Sequence, residues 1–112
     1  MSGGGMTSKV THKSIIGRNF QLIYADETYR IDVISEKRLR WTREAGNNVG
    51  QSDEETYVFD VLSPEIILLT WIEADGLGLS NVLNLRDRAL ITHANHAREV
   101  FQNKGQHSLE VA

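Results

Sequence analysis

A chain of 112 residues, 40% of them apolar, has material for one domain with one core. Its longest apolar run, Ile66–Leu69, falls far short of the roughly 20 residues a spanning helix needs, and no basic segment leads into an apolar one near Met1, so neither a membrane span nor a secretory signal is expected. A formal charge of −3 with scattered Lys and Arg argues against nucleic acid, and the absence of cysteine excludes disulfides and fits a cytoplasmic setting.

Residues 1–14, with Gly3-Gly4-Gly5 and a second methionine at Met6, are expected to form a disordered leader or added residues, leaving 15–112 as a single domain. From Ile15 the chain reads as short alternating runs separated by turn residues. Phe20, Leu22 and Tyr24 share one face of a first strand, which ends at Ala25-Asp26-Glu27. Tyr29, Ile31 and Val33 share a face of the second, with Thr28, Arg30 and Asp32 on the other, the period of two of a half-buried strand. After Ser35-Glu36-Lys37, Leu39, Trp41 and Arg43 alternate with Arg38, Arg40 and Thr42. Ala45 to Asp53 is a polar, glycine-containing loop without periodicity.

Tyr57, Phe59 and Val61 then mark the apolar face of a strand that stops at Ser63-Pro64-Glu65. Ile66 to Glu73 is apolar on both faces, which calls for a cover outside the sheet, either the N-terminal segment or a second subunit. Asp75-Gly76 is a hairpin signal. Leu79–Leu85 and Ala89–His96 read as two more strands; Glu99 to Gln102 fits a strand or a helical turn, and a last strand is expected over Ser108–Val111. Short connections throughout predict an all-β, closed, antiparallel up-and-down barrel of about eight strands, a size whose interior holds side chains or one small ligand.

The candidate chemistry lies on the inward parity of these strands. If Leu69 and Trp71 face in, so does Glu73, and a carboxylate beside an indole is a candidate general acid or base; at the rim it is merely solvated. Arg43 continues the face of Leu39 and Trp41, where it either pairs with a ligand carboxylate or reaches into water. Tyr24, Tyr29 and Tyr57 fall on apolar faces and line either a packed core or an aromatic cavity. His93 and His96, three apart on a strand, face opposite sides, so no metal site is expected. No nucleophile signature or phosphate loop is present, and no cofactor is expected.

Three stretches resemble the phenolic acid decarboxylases and the related proteins of the MoaF (molybdenum cofactor biosynthesis protein F) type. They are Tyr24-Ala25-Asp26-Glu27-Thr28-Tyr29, Leu39-Arg40-Trp41-Thr42-Arg43-Glu44-Ala45-Gly46, and Trp71-Ile72-Glu73-Ala74-Asp75-Gly76-Leu77-Gly78-Leu79-Ser80. The resemblance implies a lipocalin-like (calycin) barrel, often dimeric, with Glu73 facing in and Tyr24 near the mouth. Gln51 stands about where that family's substrate-binding arginine falls, Ala74 replaces its proline, and Leu22 replaces one tyrosine of its first-strand pair. The resemblance therefore implies the barrel and places the chain on the MoaF-like side, without the decarboxylases' carboxylate clamp.

Three functional readings follow. The leading one is a non-catalytic barrel that binds a small apolar or aromatic molecule, with or without a carboxylate, among Tyr24, Tyr29, Trp41, Arg43, Tyr57, Phe59, Trp71 and Glu73. The second is a cofactor-independent lyase or isomerase with Glu73 as acid–base and Tyr24 beside it. The third is an interaction module in which the Ile66–Ile72 strand forms a homodimer interface.

Overall fold

Alternation of apolar and polar side chains along nearly every strand leaves one apolar face, and the sheet buries that face by rolling shut. In a computed structural model, which describes residues 10–111, a one-turn helix α1 (His12–Ile15) precedes eight strands. These are β1 (Asn19–Ile23), β2 (Thr28–Val33), β3 (Arg38–Ala45), β4 (Ser52–Ser63), β5 (Ile66–Ile72), β6 (Gly78–Asn84), β7 (Ala89–His96) and β8 (Glu99–His107). Each pairs with the next and β8 returns to β1, a closed antiparallel barrel in chain order. Phe20, Ile31, Val33, Leu39, Ile67, Leu69, Leu83 and Leu90 fill its interior and are at most 2% exposed.

The two ends differ. At the end where the β2–β3 and β4–β5 hairpins lie, α1 closes the barrel. Thr11 caps it, accepting from the Ser14 N–H at 3.2 Å while the Ser14 hydroxyl donates to the Thr11 carbonyl at 2.6 Å. The Val10 N–H reaches the Pro64 carbonyl, and Val10 and Ile15 are buried in the core. Gly17, at φ +84°, turns the chain into β1 and its N–H donates to the Val33 carbonyl at 2.8 Å. Residues 1–9 of the expected leader lie outside the described residues, whereas residues 10–14 are folded. A capping box and two buried aliphatic side chains anchor them.

The C-terminal end of the domain also departs from expectation. The last strand is Glu99–His107, and 108–111 is irregular. Ala97 and Arg98 both adopt positive φ, 50° and 70°, the backbone of a two-residue hairpin turn between β7 and β8. Neither residue is one that signals such a turn, and the inward positions of β8 are Phe101, Asn103, Gly105 and His107, too polar to read as alternation. Outside the barrel, β5 carries Leu68 half-buried between Asp60 and Val82, while Ile72 is 66% exposed.

Closure rests on a narrow seam. The β1–β8 register has two pairs, Leu22 with His107 and Ile23 with Gln106, extended by the Ser108 N–H donating to the Gln21 carbonyl and the Gln21 N–H donating to the Ser108 hydroxyl. Gly105 makes the approach possible: a Cβ there would sit 2.1 Å from the Ile23 carbonyl oxygen and 3.2 Å from the Tyr24 ring. Backbone cannot yield as a side chain does, so Gly105→Ala is expected to cost about 3 kcal/mol or more, the upper end of overpacking. Urea unfolding would measure it, and a loss below 1 kcal/mol on that same scale would mean the seam is loose.

His107, 2% exposed, anchors the seam's far side. Its Nε2 lies 2.7 Å from the Asn84 carbonyl, which can only accept, so Nε2 carries the proton, and Nδ1 accepts from the Leu109 N–H at 3.1 Å. Burial lowers its pKa, with the Asn84 carbonyl opposing in part. An imidazole harder to protonate when folded leaves its contribution intact above the ordinary value near 6.5 and loses it as pH falls below that value. Melting temperature should therefore drop more steeply on acidification from about pH 7 to about pH 5 in the native protein than in His107→Gln; parallel slopes would remove His107 from the acid response.

Candidate functional site

The end of the barrel opposite α1 is hollow. Strand tilt carries the mouth-proximal inward residues of seven strands around a cavity of about 220 Å³. From β1 and its turn come Leu22, Tyr24 and Glu27; from β2 and β3, Tyr29 and Trp41. From β5 and the following hairpin come Trp71, Glu73 and Leu77; the far wall is Leu79 and Asn81 of β6, Thr92 and Ala94 of β7, and Phe101 and Asn103 of β8. The apolar area dominates, as in most small-molecule sites, and the volume lies below that of a drug-sized pocket.

Five of the eight residues singled out from sequence line this space: Tyr24, Tyr29, Trp41, Trp71 and Glu73. Tyr57 and Phe59 do not. Both face inward from β4, but the first half of that strand, through Thr56, pairs with β3 alone and the second half with β5, which puts these rings at the closed end. There the Tyr57 hydroxyl donates to the Ser35 carbonyl at 2.7 Å and meets His12 Nε2 at 2.7 Å, and Phe59 stacks on the His12 ring at 4.5 Å. Arg43 is outside the lining too. Its guanidinium lies 5.0 Å from the centre of the Tyr29 ring and Nη1 donates to the Asn47 carbonyl at 3.1 Å, while its buried Nε has no partner.

The polar atoms of the wall form directed chains. Asn81 Nδ2 donates to the Leu69 carbonyl at 3.2 Å, so Asn81 Oδ1 must be the acceptor for the Thr92 hydroxyl at 2.8 Å. Thr92 has then spent its only proton, and the 2.5 Å contact with Tyr24 is a donation from the tyrosine. The Tyr29 hydroxyl donates to Glu27. Trp41 Nε1 donates to Glu55 at 3.0 Å and Trp71 Nε1 to Glu73 at 3.3 Å. Burial pushes the Tyr24 phenol up to about 12, with Thr92 opposing and Glu27 adding. Burial and the hydrogen bond to Glu27 raise Tyr29 as well. Both stay protonated at neutral pH.

Glu73 is a half-buried carboxyl group on this wall. Burial raises its pKa above 4.5; the Trp71 N–H opposes this, the Asp75 and Glu55 carboxylates add to it, and Arg43 lowers it again. Sequence reading missed Glu27, Glu55, Asn81, Thr92, Phe101 and Asn103. Asn81 and Thr92 carried a usable signal, since each interrupts an apolar inward series, Leu79-x-Asn81-x-Leu83 and Leu90-x-Thr92-x-Ala94. Among the described residues no three His, Cys, Asp or Glu side chains converge on a metal-sized site. His96 Nε2 meets the Asp75 carbonyl, and His93 on the other face meets Gln102.

A carboxyl group whose folded pKa is raised destabilises the fold increasingly as pH climbs from its unfolded value through the folded one. Glu73→Gln keeps an acceptor for Trp71 and removes the charge. It should raise the melting temperature at neutral pH, with the gain vanishing once the native carboxyl is protonated in acid. No gain at neutral pH would mean that Glu73 bears no desolvation cost.

Comparison with known proteins agrees with this architecture. No curated protein matches the sequence. A solved protein from Burkholderia vietnamiensis, named as a "putative beta-lactamase", shares the fold at a TM-score of 0.76 and 18% identity, over 84% of this chain and 93% of that one. The MoaF-like family model matches residues 16–108, from the end of α1 to just past β8. The chain is a member of the MoaF-like family.

Proposed function

We propose that this MoaF-like barrel binds a small apolar or aromatic molecule in its open end and releases it unchanged. The observation that carries the reading is the hollow itself: five aromatic rings surround about 220 Å³ instead of filling it. At roughly 30 Å³ of liquid per water, that is room for on the order of seven waters. Packing the same space with aliphatic side chains would have been more stable, since an unfilled volume forfeits contacts on one side of every lining atom. Rings held by hydrogen bonds to Thr92, Glu27, Glu55 and Glu73 give a preformed wall, which lowers the ordering cost of binding.

The enzyme reading keeps one specific support, a partly desolvated Glu73 on the cavity wall. Against it, the Tyr24 proton is committed to Thr92, and the Thr92 proton is held by Asn81 Oδ1, an amide oxygen too weakly basic to remove it. Association through the outer face of β4 and β5, where Val58 and Ile72 are more than half exposed, is compatible with either reading and is tested by light scattering.

The binding reading is tested by titrating the protein with p-cresol, a small neutral aromatic, while following fluorescence of Trp41 and Trp71. A saturable change that Ala94→Trp abolishes by filling the cavity is expected. No saturation in the native protein would refute the reading. Consumption of a hydroxycinnamic acid in the same sample, lost in Glu73→Gln, would replace it with the lyase.

A further inference from the structure

The cavity wall has a sign. Four of its rings carry a polar hydrogen, and all four hydrogens are spent on neighbours within the protein: those of Tyr24, Tyr29, Trp41 and Trp71. What these groups leave for a guest is phenol lone pairs, ring faces and the unused carboxylate oxygens of Glu27 and Glu73. The side-chain donors that remain in the lining are amide hydrogens, those of Asn103 near the rim and the second N–H of Asn81. The neighbouring cation, Arg43, is felt by Glu73 and Tyr29 but lies outside the lining, over the Tyr29 ring and against the Asn47 carbonyl, so it offers a guest in this space no direct hydrogen bond.

From this pattern we propose that the ligand is a small organic cation, an amine or quaternary ammonium with an apolar body, held by the Glu27 and Glu73 carboxylates and the surrounding ring faces. A carboxylate guest would meet two carboxylates, two hydroxyl oxygens whose protons are spent elsewhere, and the negative faces of the rings. A cation finds in the same atoms its complement, and cation–π attraction is strongest when the charge is desolvated. Arg43 on the Tyr29 ring is an internal instance of that attraction. The inference rests on the cavity being a binding site and adds the charge of what it binds.

Trp41 and Trp71 are the chain's two tryptophans and both line the cavity, so intrinsic fluorescence reports occupancy without a label. Three probes of similar size separate the possibilities: phenyltrimethylammonium, its neutral isostere tert-butylbenzene, and benzoate. In the native protein phenyltrimethylammonium should bind about tenfold or more tighter than tert-butylbenzene, with benzoate weakest. Glu73→Gln should erase about a tenfold share of the cation's affinity and leave tert-butylbenzene unchanged; if that variant does not fold, the native panel decides alone. Binding of tert-butylbenzene or benzoate equal to or tighter than that of the cation overturns the charge assignment and leaves the binding site standing. Failure of all three probes removes both.

Discussion

Everything in this molecule depends on eight strands closing with only two register pairs between the first and the last. An open sheet of this composition would expose a ladder edge on β1 and another on β8, and its apolar face would have nothing to pack against. Closure needs the β8 backbone to come within contact of the Ile23 carbonyl, which a side chain at Gly105 would prevent. The seam is reinforced beyond its two pairs by Ser108 on Gln21 and by a neutral His107 tied to Asn84 and Leu109. The residues just after the last strand thus serve closure without being part of the sheet.

Closure in turn divides the interior. Toward α1, aliphatic residues interdigitate and the helix seals the end with Val10 and Ile15. Toward the mouth, five rings stand in the wall among leucines, and four of them are held in place by hydrogen bonds. Tyr24 is held by Thr92, which is held by Asn81, which is held by the Leu69 backbone of the strand next door. Each member satisfies the next, the condition under which a buried polar network stiffens a wall instead of weakening it. The cavity is therefore a consequence of the same polar residues that interrupt the apolar series on β6 and β7.

The barrel was legible in the sequence because its strands alternate and its connections are short. Tyr29-x-Ile31-x-Val33 and Leu39-x-Trp41 could face only one way around a single core. β8 was illegible for the complementary reason: its inward face is Phe101, Asn103, Gly105 and His107, chosen for a cavity and a seam instead of a core, and its turn uses Ala97 and Arg98 where glycine or asparagine is the usual signal. α1 was hidden by its brevity, one turn specified by Thr11 and Ser14. At the site, parity found Tyr24, Tyr29, Trp41, Trp71 and Glu73. It could not say how far along the axis a residue sits, so Tyr57 and Phe59 were grouped with rings at the other end. Nor could it show that Arg43 would turn onto Tyr29, or that Gln51 would sit exposed in the β3–β4 loop with its backbone bonded to Arg43.

That last placement bears on how the open end of one such barrel can differ from that of another. The mouth's character is set by a few side chains on loops and strand ends, while the strands beneath are occupied with closure and packing. A cationic side chain reaching into this cavity would neutralise Glu27 and Glu73 and offer donors to an anionic guest. With the nearest cation stacked on Tyr29 from outside the lining instead, the lining keeps its surplus of acceptors. The 18% identity to a protein of the same fold shows how little of the sequence the barrel itself requires. Chemistry at the open end is free to vary as long as Gly105, the relay from Leu69 to Tyr24 and the helical plug hold the hollow in shape.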